Sequence, residues 1–523
     1  MTALLLAGGR LPGSAALVDV LVRDGMVASV GPAGSADAAG AETRALDGRF
    51  VIPGLWDNHV HFTQWTKVSR RLDLSRVASA AEAVALVKDA LAARSASAGS
   101  GAVTRDAAGA SEALVGYGFR DGLWPDLPTK DLLDAVAGDT PVLLVSGDLH
   151  CCWASSAALV PHGYGDHPTG LLREDDCFDF MYRVEEGDAS SLDARAVQVA
   201  RDAARRGVVG VVDLEIDWNP ARWRRLAALG HDALRVEFGV WPQHLDRAEA
   251  EGLRSGDVLD GTGGLVRVGP AKVVTDGSLN TRTAYCFDPY PDLDGQGGGA
   301  HGGACGTLSV PPEELRGLMS RAVRQGLRPA IHAIGDHANR LALDAFAALE
   351  RETGGAHRDA DGLAGSIEHA QQLTHEDVAR FAALGVVASV QPEHAMDDRD
   401  IADVYWAGRT ARAFALADLR AAGTRLALGS DAPVAPLDPW ATMSAAVGRA
   451  RDGREPWHPE QAIDRAAALD ASVRTRVAPG ERADLAVVDA DPLAGGASAD
   501  DLRTMRVSAT LLGGRFTHDT LGG

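Results

Sequence analysis

His59 and His61 are separated by a single residue and follow an apolar run at 51–55. On an extended strand, residues i and i+2 point to the same side. The two imidazoles can therefore be presented to one point, as a metal ion requires. Two ordinary loop histidines are the plain alternative. Three further apolar runs end in comparable groups: His332 after Ala330-Ile331, His369 after Ile367-Glu368, and Asp431 after Gly429-Ser430. Imidazole and carboxylate together suit zinc and similar divalent cations. Chance would scatter such residues along strands and helices alike. Here four runs deliver them at their carboxyl ends, the face on which barrel enzymes carry their active sites.

Lys272 lies inside the apolar stretch 265–274, where an unpaired ammonium is costly to bury. Either it pairs with an acid such as Asp276, or its amine has reacted with CO2 to give an anionic carbamate able to bridge two metal ions. Arginine cannot do this chemistry, since its guanidinium stays protonated. The chain has four lysines among 51 Lys and Arg residues. A lysine here, in a chain that otherwise writes Arg, favours the carbamate.

The elements that must position these groups follow from hydrophobic patterning. Eight apolar runs, at 51–55, 208–214, 234–240, 265–274, 328–333, 364–367, 386–390 and 425–428, alternate with helix-like stretches such as 312–325, 339–350, 375–383 and 409–422. Near-continuous apolar strands separated by helices indicate a parallel sheet, and eight such units predict a (β/α)8 TIM barrel. A doubly wound sheet would want a glycine-rich phosphate turn after its first strand, which Gly54-Leu55-Trp56-Asp57 does not supply. Short apolar runs broken by turns at both chain ends predict one small β-sandwich domain from residues 1–50 and 478–523. The barrel is then 51–70 with 196–477, and 71–195 is an insertion covering its mouth. Within the insertion a helix is expected at 80–94, and the Ser/Gly/Ala piece at 95–110 reads as a loop.

The 523 residues hold 51 basic and 72 acidic side chains, a net charge of −21. Such acidity argues against nucleic acid, which needs clustered cations, and against an anionic membrane. No apolar run approaches the roughly 20 residues that span a bilayer. Five cysteines without CxxC spacing predict reduced thiols and a cytoplasmic location. The glycine-rich run 294–303 lacks the Gly-Lys-Ser/Thr of a P-loop and reads as a loop beside the mouth.

The order His-x-His, Lys, His, His, Asp within such a barrel resembles the amidohydrolase superfamily. More narrowly, the chain resembles amidohydrolase family 3, the branch that includes N-substituted formamide deformylases. The matching stretches are Pro53-Gly54-Leu55-Trp56-Asp57-Asn58-His59-Val60-His61, Asp276-Gly277-Ser278-Leu279, His332-Ala333-Ile334-Gly335-Asp336, Ile367-Glu368-His369-Ala370-Gln371, Ser389-Val390-Gln391-Pro392-Glu393-His394 and Gly429-Ser430-Asp431-Ala432-Pro433-Val434. In the insertion, Asp148-Leu149-His150, Trp153 and Thr169-Gly170-Leu171-Leu172-Arg173-Glu174 resemble that branch's substrate-covering segment. Ser155, where Asn is expected, and Asn58, where Ser or Ala is commoner, depart from the pattern.

The resemblance implies that His59, His61, His332 and His369 hold one or two divalent ions, most simply zinc, with Asp431 as a further ligand and carbamylated Lys272 as the bridge between two. Asp431 would take the proton of the attacking water and pass it to the leaving amine. The substrate implied is a small molecule with an amide, N-formyl or N-acyl C–N bond, and a homodimer is implied as well. Arg282, His394, His150 and Trp153 are candidate substrate contacts, each with a bland alternative: a salt bridge, a loop histidine, or packing within a lid. An ester, lactone or phosphotriester could be cleaved on the same metal site. A non-catalytic binding protein would have lost ligands, and all six are present.

Overall fold

The computed structural model describes residues 3–68, 71–97, 113–184, 189–291, 303–495 and 498–522. Eight parallel strands form the centre: β1 (Leu55–Val60), β2 (Val208–Asp213), β3 (Arg235–Val240), β4 (Val266–Val274), β5 (Pro329–Ala333), β6 (Gly365–His369), β7 (Val386–Val390) and β8 (Leu426–Leu428). They pair in sequence order from β1 to β8. The ends meet where Asp431 N–H donates to His59 O at 2.7 Å and His61 N–H donates to Ala432 O at 2.8 Å. The chain is thus a (β/α)8 barrel. Strands covered on both faces are mostly apolar, and every residue of β1, β2 and β5 is buried, the polar groups among them lying towards the carboxyl ends.

The helix Pro312–Gln325 shows why the intervening segments wind as they do. Glu313 and Glu314 occupy its first turn, Gly326 ends it in the left-handed conformation (φ 85°), and Leu315, Met319 and Ala322 make its buried stripe. Among the described residues no helix is long and apolar enough to cross a membrane.

The run 51–55, expected as the first barrel strand, is divided between two sheets. Phe50–Pro53 pairs antiparallel with Leu485–Val488, and the barrel begins at Leu55. The crossing point is Gly54, where a Cβ would lie 2.3 Å from Val209 Cγ1, so only glycine lets the chain pass this close to β2. Strands from both chain ends, Leu4–Arg10 to Phe50–Pro53 and Leu485–Val488 to Arg515–Asp519, form one connected eight-stranded sheet. Leu6, Val20, Val51, Leu485 and Leu511 share its core.

Residues 71–184 contain more than the helix and loop expected of them. Leu72–Asp73, Leu114–Phe119, Val142–Ser146, Cys151–Ala154 and Leu171–Arg173 form a separate five-stranded sheet. Alternation sends Val142 and Leu144 against the helices Ala80–Ser97 and Lys130–Ala137. It sends Leu143 and Val145 against the helix Asp175–Val184. Residues 98–110, most of the Ser/Gly/Ala piece, and the run 294–302 lie outside the described residues. The five cysteines are free thiols, four of them buried.

Candidate metal centre

His59, on β1, is fully buried with Nδ1 2.7 Å from Glu368 Oε2 of β6, while its Nε2 lies 3.4 Å from Asp431 Oδ1. His61 Nε2 is also 3.4 Å from Asp431 Oδ1, and His394 Nε2 is 3.8 Å from Oδ2. The His369 ring sits 4.4 Å from that of His332 and 5.0 Å from that of His59, centroid to centroid. Asp431 lies just past β8, tied down through Asp57, whose Oδ1 accepts from Ser430 N–H at 2.8 Å and from His59 N–H at 3.3 Å.

Two of the candidate ligands adopt backbone conformations unusual for anything but glycine: His369 at φ 74° and Asp431 at φ 58°. The turn at His369 has a direct effect. Neighbours on a regular strand point to opposite faces, yet Glu368 and His369 both approach His59. The left-handed residue breaks the alternation and brings two adjacent side chains to one place. Glu368 carries no periodicity signal for this reason, and sequence patterning assigned it no role.

Electrostatics follow from burial. Burial pushes the Asp431 carboxyl up, but the charges of His59, His369 and His61, with a hydrogen bond from His61, outweigh it and hold it well below the usual range. Burial, with the Lys272 charge, drives His332 well below an ordinary histidine. His369 falls likewise through burial and its neighbour His332. The Lys272 amine is buried, and burial lowers its pKa against the pull of Glu368 and Asp431. The pairing of Lys272 with Asp276 does not form. Asp276 instead accepts backbone N–H groups of Ile334, Gly335 and Tyr285 at 2.8–3.0 Å.

The donor atoms fit a cation. His59 Nε2, His332 Nε2, His369 Nδ1, His394 Nε2 and Lys272 Nζ are all buried without a hydrogen-bond partner, a costly state for polar atoms unless something else binds them. One donor atom each from His59, His61 and Asp431 falls within 4.8 Å of the others, and the same holds for His369, His394 and Asp431. His394, expected beside substrate, stands among the candidate ligands. Glu393 fixes its helix, Pro392–Tyr405, by accepting from Arg451 and Arg503 at 2.8–2.9 Å.

The sequence profile of the amidohydrolase family matches residues 42–518. The chain belongs to amidohydrolase family 3. It is an amidohydrolase, a hydrolase of carbon–nitrogen bonds whose His and Asp groups suit a divalent metal. Its relatives include the putative amidohydrolase YtcJ of Bacillus subtilis, 25% identical over 91% of this chain and 90% of that one. The N-substituted formamide deformylase of Arthrobacter pascens is 27% identical over 76% of each chain. Protein LONG AFTER FAR-RED 3 of Arabidopsis thaliana is 28% identical over 77% of this chain and 69% of that one. Among solved structures, an uncharacterized metal-dependent hydrolase from Pyrococcus horikoshii superposes with a TM-score of 0.72 at 25% identity, covering 94% of this chain and 99% of that one.

The remaining candidate residues of the amidohydrolase divide by place. His150 projects from the insertion with its ring 6.3 Å from that of His332, and its Nδ1 is 2.8 Å from Glu174 Oε2. Burial opposes a charge on His150, but Glu174 and then Asp148 raise its pKa to about 9. Arg282 follows β4 and places its guanidinium 5.4 Å from the centre of the Tyr405 ring. Trp153 is not brought to the histidines: it packs in the insertion's own core with Phe119, Leu133 and Leu144. His337 stacks on Tyr285 and Phe287.

The two departures from the family pattern hold structure together. Asn58 donates to Leu428 O at 2.9 Å and accepts from Arg474, helping to close the barrel. Ser155 Oγ accepts from Val142 N–H within the insertion.

Proposed function

We propose that this amidohydrolase hydrolyses an amide, N-formyl or N-acyl C–N bond of a small molecule at a centre of one or two zinc ions. His59, His61, His332, His369 and Asp431 would hold the metal, with Lys272 as a carbamate bridge when two ions are bound. The observation that carries this reading is a pair of His/Asp triads that share Asp431 at the carboxyl end of the barrel, with buried nitrogens of His59, His369 and His394 left without a hydrogen-bond partner. A divalent cation bound there supplies Lewis acidity, polarising a carbonyl and acidifying water at neutral pH.

The chain's own groups supply the rest. Asp431, buried and held ionised by its histidine neighbours, accepts the proton of the attacking water and returns it to the leaving nitrogen. Glu368 holds the His59 ring through Nδ1 so that Nε2 faces Asp431. His150 and Arg282 would contact substrate around the mouth, whereas His394, grouped with His369 and Asp431, joins the candidate ligands. That one relative is an N-substituted formamide deformylase supports a C–N bond over an ester, lactone or phosphotriester.

The test is a panel of N-formyl, N-acyl-amino-acid, lactone and aryl-ester compounds, with the Asp431→Asn protein as blank and metal content measured alongside. Turnover confined to the amides, with about one to two divalent ions per chain, is expected. Folded protein that binds no divalent metal would sink the reading.

A further inference from the structure

We infer that Glu174 is a second positioning residue of this site: it fixes the His150 ring so that Nε2 donates to the oxygen of the scissile carbonyl, and it seats the insertion on the loop after β4. The inference rests on the hydrolytic reading above and extends it to residues outside the barrel.

Both Glu174 carboxylate oxygens are committed. Oε2 takes His150 Nδ1 at 2.8 Å, while Oε1 accepts from Thr281 Oγ1 at 2.8 Å and Thr283 Oγ1 at 2.7 Å. The main chain repeats the pairing, since Glu174 N–H donates to His150 O at 2.9 Å. Phe178 meets the imidazole edge-on at 5.5 Å. With Nδ1 bonded and one side of the ring packed, Nε2 is the polar atom left, and among the described residues no protein group bonds it. The His150 ring stands beside that of His332, 6.3 Å from centroid to centroid, which sets the imidazole at the edge of the candidate metal centre. A fixed donor at that point meets the charge that develops on the carbonyl oxygen.

The backbone supports the arrangement. Leu149, beside His150, has φ 66°, and Glu174 has φ 50°. Strain at two non-glycine residues flanking one contact marks a geometry the fold imposes. The loop has been shaped to receive the carboxylate: a Cβ on Gly277 would lie 2.0 Å from Thr283 Oγ1 and 3.2 Å from Glu174 Oε1. A second bond beside it, from Ser278 Oγ to Asp148 Oδ2 at 2.7 Å, joins the same two segments.

The experiment is a double-mutant cycle on the metal-loaded enzyme, with p-nitroacetanilide as reporter amide and crystal structures of each variant. His150→Asn should lower kcat by about 10²–10³-fold, and Glu174→Gln by about 10–100-fold. KM and metal content should stay near wild type, and the double variant should be no slower than His150→Asn. In the Glu174→Gln crystal the His150 ring should rotate away from His332. Thr281→Val, which leaves the carboxylate in place, should show a smaller loss of the same kind. Losses that multiply in the double variant overturn the inference, as does a His150 ring unmoved in Glu174→Gln. If no variant, nor the wild type, turns over any amide, the hydrolytic reading fails by itself, and the ring orientation still decides the role of Glu174.

Discussion

Glu368 Oε2 lies 2.7 Å from His59 Nδ1, and its other oxygen accepts from Ser366 Oγ at 2.5 Å. Both partners are buried, so the carboxylate sets which imidazole nitrogen is free to face the centre. Such partners of ligating histidines typically carry 10–100-fold in metal affinity. Glu368→Gln is therefore expected to weaken metal binding by about that factor, read by competition with a chelating indicator. Unchanged affinity would show that His59 is oriented by packing alone.

Asp431→Asn removes the proposed proton acceptor while keeping the shape of the side chain. Turnover should fall by roughly 10²–10⁴-fold, the usual contribution of a general base. Rates over a substrate series provide the check, with metal content measured on the same samples. A variant retaining a tenth of wild-type kcat would assign the proton transfer elsewhere.

Lys272 offers a chemical test independent of turnover. If its amine is carbamylated, metal-stripped protein reloaded in CO2-free buffer should take up less metal than protein reloaded with bicarbonate, and Lys272→Arg should show no such difference. Elemental analysis reads both. Equal loading with and without bicarbonate would leave Lys272 as a plain amine.

His231 is not among the candidate ligands and makes a stability prediction. It is buried, its ring 5.2 Å from Trp223 and its Nε2 bonded to Leu234 O. Burial lowers its pKa from 6.5. Above pH 6.5 neither the folded nor the unfolded chain protonates it. As pH falls below 6.5 the unfolded chain gains the proton first, so stability drops through this window until the folded value is reached. One such proton changes the slope by up to about 1.4 kcal/mol per pH unit. Urea unfolding between pH 5 and 7 should show a shallower acid loss in His231→Gln, and an unchanged slope would exclude His231 as a contributor.

The barrel and most of its centre were legible because the relevant residues end apolar runs. His59, His61, His332, His369 and Asp431 could all be read this way. Glu368 could not, since strand alternation places it opposite His369 and only the left-handed backbone at His369 reverses that. The first barrel strand was misplaced because Val51 and Leu55 are equally apolar, and the change of sheet depends on the contact of Gly54 with Val209. The insertion's sheet was missed for a related reason. Its strands are two to six residues long, too short for a period of two to stand out. Trp153 belongs to a stretch that resembles a substrate-covering segment, whereas its contacts lie in that sheet's core.

Phe50–Pro53 bonds on one side to Leu485–Val488, from the opposite end of the chain. During synthesis the N-terminal strands must therefore wait, with one edge uncovered, until nearly the whole polypeptide has emerged. An open strand edge is a template for pairing with other chains, and contacts so distant in sequence form slowly. Production of this protein should accordingly be sensitive to chaperone supply and growth temperature, and shortening the chain by its last three strands should send it to the insoluble fraction even though every candidate ligand is retained.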